Sequence, residues 1–153
     1  MVIEIRKARM EDMPPLHKLL MVEANKGLLL PRSLTQMYTA VRDFHVAVDE
    51  EGNLAGCSAL ALIWEGLAEV RSLIVADTHR RQGIGHKLVK ACMEDAVKLG
   101  VANVFSLTYQ VTFFTALGFE EVPKETLPQK IWRDCIHCPK FPNCDETAMI
   151  RPV

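Results

Sequence analysis

The sequence predicts an α/β domain of the α+β type, a central mixed but mostly antiparallel sheet flanked by helices. Three observations predict it. Period-two alternation runs from Phe44 to Val75, broken by the polar turns Asp49-Glu50-Glu51-Gly52-Asn53 and Trp64-Glu65-Gly66, which is the pattern of an antiparallel meander. Next, Leu73-Ile74-Val75-Ala76-Asp77-Thr78-His79-Arg80-Arg81-Gln82-Gly83-Ile84-Gly85 reads as a buried strand, a basic glycine-bearing turn and the first turn of a helix. Finally, Ile84, Leu88, Cys92, Ala96 and Leu99 recur at helical spacing up to a Gly100 stop, and Val101 to Leu107 returns to a strand.

The elements follow in order. Val2 to Arg6 alternates and predicts a first strand with Ile3 and Ile5 toward the core. Asp12 is placed to cap a helix whose first turn tolerates Pro14 and Pro15, with Leu16, Leu19, Leu20 and Glu23 at helical spacing and Gly27 as the stop. An apolar linker, Gly27-Leu28-Leu29-Leu30-Pro31-Arg32-Ser33, ends in a lone arginine. Ser33-Leu34-Thr35-Gln36 has the form of a capping box and opens a short helix with Met37, Tyr38 and Val41 on its buried side. The meander strands are Phe44 to Val48, Leu54 to Ile63 and Leu67 to Val75. After the long helix and the strand that follows it, Val111 to Leu117 predicts a short helix ending at Gly118. Beyond Glu120, Pro123, Pro128, Pro139 and Pro142 predict irregular chain with a short closing strand near Thr147 to Ile150. The reading is a core over residues 1–122 and a tail over 123–153, packed as one domain.

With 153 residues and 49% hydrophobic content, the chain has enough apolar material for one core without disulfides. A formal net charge of −1 supplies no basic field for nucleic acid or an anionic membrane, so any anion binding must be local. No apolar run reaches the roughly 18 residues of a membrane span, and Met1-Val2-Ile3-Glu4-Ile5-Arg6 lacks the basic start and apolar centre of a secretory signal. A cytoplasmic location is expected. Cys57 and Cys92 lie inside apolar patterns, as buried thiols in a reducing compartment do.

A helix opening from a glycine turn presents unpaired backbone N–H groups and a positive dipole end, and glycine lets a phosphate come close. The turn before Ile84 is therefore a candidate pyrophosphate cradle. Its spacing, Arg80-x-x-Gly83-x-Gly85, resembles the R/Q-x-x-G-x-G/A signature of the GNAT superfamily of acetyl-CoA-dependent N-acetyltransferases, and the order of elements over residues 2–122 resembles that fold. The resemblance implies acetyl-CoA as cosubstrate. It implies that the backbone of Leu73, Ile74 and Val75 pairs with the pantetheine arm, and that the amides from Arg80 through Arg81, Gln82, Gly83 and Ile84 to Gly85 receive the pyrophosphate. Arg80 and Arg81 add charge there.

Acetyl transfer from a thioester needs a deprotonated amine, a donor for the developing oxyanion and a proton for the departing thiolate. Glu69 sits where the histone acetyltransferases of the superfamily carry their general base, the alternative being an exposed strand carboxylate paired with Arg71. The family's oxyanion donor is the N–H of Leu73. Many members carry F-Y-x-x-x-G-F, whose tyrosine protonates the thiolate, whereas this chain has Phe113-Phe114-Thr115-Ala116-Leu117-Gly118-Phe119. Phe114 has no proton to give, and Tyr109 is the nearest substitute.

Leu107-Thr108-Tyr109 with Phe113-Phe114 resembles the acetyltransferase domain of N-acetylglutamate synthases, especially the short bacterial type without a kinase domain. Gly27-Leu28-Leu29-Leu30-Pro31-Arg32-Ser33 resembles their G-x-L-x-x-R-S segment. This implies that Arg32, beside Ser33, grips a substrate carboxylate, for which a guanidinium fork is suited. Arg71 and Lys130 are candidates for a second carboxylate. The resemblance implies a small amino-acid acceptor, L-glutamate first, for arginine biosynthesis, and a homodimer is a family expectation. Other amines (a polyamine, a drug, a protein N-terminus) and a non-catalytic binding module stay open. So does the tail, where Cys135, His137, Cys138 and Cys144 admit a structural zinc, a redox-sensitive pair or plain packing. No metal is expected.

Overall fold

A computed structural model describes residues 2–29, 31–80, 82–127 and 145–153. The chain runs β1 (Glu4–Lys7), α1 (Met13–Asn25), α2 (Leu34–Thr39), β2 (Phe44–Val48), β3 (Leu54–Trp64), β4 (Leu67–Val75), α3 (Ile84–Leu99), β5 (Asn103–Thr108), α4 (Val111–Ala116), β6 (Glu120–Val122) and β7 (Thr147–Pro152). The described strands form one sheet in the order β1-β2-β3-β4-β5-β7-β6, antiparallel at every junction except β4 against β5. The expected mixed, mostly antiparallel sheet is therefore present.

Alternation along the strands gives the sheet two apolar faces. Ile84, Leu88, Val89, Cys92 and Ala96 of α3 cover one, packing on Ala47, Ala55, Leu60, Val70 and Val104. Met13, Leu16 and Leu20 of α1 and Met37 of α2 cover part of the other, over Phe44, Val46, Cys57, Ala59 and Ile74. Burial holds both core thiols protonated, pushing Cys57 up to about 12 and Cys92 to about 11. Neither serves as a thiolate nucleophile at neutral pH.

Three local expectations need correction. Asp12 immediately precedes α1, but its side chain does not cap it. The second and third helical residues, whose N–H groups a cap would bind, are Pro14 and Pro15 and carry none. Asp12 instead accepts from Arg6 Nη1 and Nη2 at 2.8 and 3.1 Å and from the Arg9 N–H at 2.7 Å. Burial alone would raise this carboxyl, but those donors hold it below the usual carboxylate range. Leu99 is 54% exposed rather than buried, because Gly100, at φ 75°, reverses the chain and seats Val101 in the core instead. Lastly, Glu120–Val122 is strand rather than irregular chain. Its partner is β7, through the register Glu120↔Ile150, Glu121↔Met149 and Val122↔Ala148.

Candidate active site

The site begins where the sheet parts. Parallel pairing of β4 with β5 covers only Leu67↔Asn103, Ala68↔Val104 and Glu69↔Phe105. Beyond Glu69 the strands separate, and Ser106 marks the fork: its hydroxyl, 3% exposed as a residue, donates to the Val70 carbonyl at 3.0 Å. From Val70 to Val75, β4 has no ladder partner on its β5 side among the described residues. A strand edge inside a cleft is a template for an extended, amide-bearing ligand.

A bulge shapes that edge. Cys57 pairs with Ile74 and Ala59 with Arg71, so Ser72 and Leu73 together face Ser58. Ser72 has φ 54°, a conformation that other described non-glycine residues do not share. The extra residue resets the alternation. Glu69 and Arg71 share one face by their spacing, yet Leu73 packs with Val70 on the α3 face and Ile74 joins the opposite core. The backbone around Leu73 is thereby turned out of the regular ladder at the head of the cleft.

At the other end the strand enters the glycine turn. Gly83, at φ 72°, precedes α3 and would have nothing within 4 Å of an added Cβ, so space for an anion lies over it. Gly85 has a different use. A Cβ there would stand 3.1 Å from the Phe113 ring, so its smallness lets α4 close against the start of α3. Arg80 reaches the cleft, with its guanidinium 3.0 Å from Asp77 Oδ1 and 3.8 Å from Glu23 Oε1. The approach to the turn is anchored by buried His79, whose Nε2 lies 3.1 Å from Asp49 Oδ2 in the β2–β3 turn and whose Nδ1 lies 2.7 Å from Thr78 Oγ1.

One cleft of about 770 Å³ joins these parts and brings together Arg32, Glu69, Arg71, Leu73, Ile74, Val75, Arg80, Gly83, Ile84, Gly85 and Tyr109. Glu69 is 3% exposed, with Arg71 Nη1 at 3.6 Å from its Oε1. Arg32 is presented by a pinned loop: His17 Nε2 donates to its carbonyl at 3.1 Å, and the adjacent capping box fixes α2. Ser33 and Gln82 do not line the cleft. The Ser33 hydroxyl accepts from the Gln36 N–H at 3.0 Å while Gln36 Oε1 accepts from the Ser33 N–H at 2.7 Å, so its polar groups serve the helix. Arg81, Lys130, Cys135, Cys138 and Cys144 lie outside the described residues, as does His137. Among those described, no group of three or more His, Cys, Asp or Glu residues is arranged to hold a metal ion.

Phe114, at the position of the absent tyrosine, is 2% exposed and stacks edge-on with Phe113 and Phe119 at 5.1 Å between ring centres. The cleft's phenol is Tyr109, whose hydroxyl donates to Asp145 Oδ1 at 2.6 Å. Ser106, Thr108, His86, Glu23 and Glu146 also line the cleft, and none of them is a site candidate from the sequence. Ser106 had a legible signal, a small hydroxyl interrupting Val104-Phe105-Ser106-Leu107. Glu146 had none, since only β7 carries it back to the cleft.

A sheet parted beside a bulged strand, which leads into a glycine-turned helix start, is the arrangement of a transferase holding an extended, anion-tailed cosubstrate. Residues 4–119 match the acetyltransferase (GNAT) family. An uncharacterised N-acetyltransferase of Chlorobaculum tepidum is 42% identical over 147 residues, covering 96% of this chain and 94% of that protein. An amino-acid acetyltransferase of Mycobacterium tuberculosis is 37% identical over 120 residues, 77% of this chain and 68% of that one. The N-acetylglutamate synthase of Neisseria gonorrhoeae, solved with coenzyme A and N-acetyl-glutamate, superposes with a TM-score of 0.87 at 24% identity, a likeness of fold that covers 99% of this chain and 35% of the synthase. The chain belongs to the GNAT family and is an acetyl-CoA-dependent N-acetyltransferase.

Proposed function

We propose that the protein transfers acetyl from acetyl-CoA to the α-amine of a small amino acid, L-glutamate first, and supplies arginine biosynthesis from the cytoplasm. The observation that carries this reading is the placing of Arg32 in the same cleft as Glu69 and the bulged edge of β4. The amino-acid acetyltransferase relative supports the acceptor class.

In this reading Arg32 holds the α-carboxylate in a charge-assisted fork, with Arg71 beside it. Leu73, Ile74 and Val75 pair with the pantetheine arm, while Gly83, Ile84 and Gly85 offer amides to the pyrophosphate, helped by Arg80. Glu69 takes the ammonium proton, directly or through a water, so that the amine attacks as a neutral nucleophile. The Leu73 N–H meets the charge that develops on the carbonyl oxygen. Tyr109 stands nearest to return a proton to the thiolate, and its bond to Asp145 keeps the ring at the cleft wall. A cationic amine is the second reading, favoured by Glu23 and Glu146 in the lining.

Thiol release is measured with glutamate, glutamine, aspartate and a polyamine. Turnover with the amino acids is expected, and turnover with the polyamine alone overturns the reading. Glu69→Gln is expected to lower kcat by about 10²- to 10⁴-fold with little change in the KM for acetyl-CoA. Arg32→Ala is expected to raise the acceptor KM by about 10- to 100-fold, the size of a lost hydrogen bond to a charged group.

A further inference from the structure

We propose that Asp43 is a specificity-determining residue. A small pocket off the cleft takes the acceptor's side chain, and the Asp43 carboxylate in its wall admits an uncharged carboxamide in competition with a carboxylate. The inference rests on the amino-acid reading above. The pocket, about 190 Å³, lies between α2, the start of β2 and the β4 bulge, and Arg32, Arg71 and Ser72 line both it and the main cleft. An acceptor with its amine at Leu73 and its α-carboxylate on Arg32 therefore sends its side chain past Arg71 into this space.

The pocket's polar groups are unequally committed. Gln36 Oε1 accepts from the Ser33 N–H, and the Thr39 hydroxyl donates to the Gln36 carbonyl at 2.9 Å. Arg71 already stands 3.6 Å from Glu69, so its charge is shared. Asp43 makes no side-chain hydrogen bond or ion pair with the other described residues. Its carboxylate thus has acceptor capacity that the N–H groups of a primary amide satisfy, whereas a second carboxylate meets like charge in a half-enclosed space. Glutamine should then compete with glutamate, and asparagine with aspartate.

Burial, with Asp95, raises the Asp43 carboxyl above its ordinary range while Arg71 and Lys7 draw it back, and the assays are run at about pH 8. The full chain is assayed with each amide and acid pair at saturating acetyl-CoA. Asp43→Asn is expected to lower the glutamine-to-glutamate ratio of kcat/KM by at least about tenfold, because it removes one like-charge contact, with the KM for acetyl-CoA unchanged. Asp43→Ser should move the ratio the same way, and thermal melts of both variants report folding. An unchanged or increased ratio in folded variants overturns the assignment while leaving the acceptor class standing. A wild-type enzyme that acetylates none of the four amino acids removes the acceptor class, and this inference with it.

Discussion

Two residues with positive φ do most to shape the cleft, and they are unlike. Gly83 adopts φ 72° at no steric cost, whereas Ser72 holds φ 54° against the preference of its own side chain. That strain persists because the pairs Arg71↔Ala59 and Ile74↔Cys57 fix the chain on either side. His45 is a third residue with a measurable signature. It is buried on β2, and its Nδ1 has no hydrogen-bond partner among the described residues. Burial lowers its pKa below the ordinary imidazole value of 6.5, Lys7 and Lys98 push the same way, and Asp95 and Glu94 oppose them. The folded state then binds fewer protons than the unfolded one. Stability is therefore complete above about pH 6.5, falls as the pH drops through it, and goes on falling until the folded imidazole titrates. Thermal melts between pH 8 and 5 should show a steeper decline for the wild type than for His45→Gln.

At the scale of elements, α2 is six residues long and owes its existence to its ends and its one buried face. Ser33 and Gln36 supply reciprocal caps, and Met37 anchors the helix at 1% exposure. Ser33→Ala should cost about 1 kcal/mol, as the loss of an N-cap does, read as a lowered urea midpoint. Because the Arg32 carbonyl is held by His17 and Arg32 immediately precedes the Ser33 cap, the acceptor KM should rise in the same variant while that of acetyl-CoA stays put. A parallel loss of affinity for both substrates would show that the cap supports the whole cleft rather than one wall of it.

Across the whole molecule, β7 is the strand that closes the fold. It lies between β5 and β6, pairs with both, and buries Ala148 and Met149 to 1% exposure each. The two residues that lead into it also reach the site, Asp145 at Tyr109 and Glu146 in the cleft lining. A chain ending at residue 144 loses the partner of two strands, and Met149 alone represents about 2–3 kcal/mol of apolar burial. Such a truncation should lose its cooperative thermal transition and bind a hydrophobic dye. A sharp transition retained at the wild-type temperature would show that β7 is dispensable.

The sequence by itself determined what is local: the meander and its turns, the capping box at Ser33, the stripe of α3 and the glycine at Gly83. Each of these is set by a repeat of two or about 3.6 residues or by a turn residue with its own conformational preference. Arg32 and Glu69, the proposed acceptor-binding arginine and base, were also legible as candidates, because their residue types and spacing match the family's segments, and the fold places both in one cleft. Tertiary structure alone decided that β4 and β5 part after Glu69, that Ser72 bulges, that Asp12 turns back to Arg6, and that β7 enters between β5 and β6. Those features depend on partners far apart in the chain, such as Glu120 with Ile150 and Tyr109 with Asp145, and no periodicity in one segment encodes which distant segment it will meet.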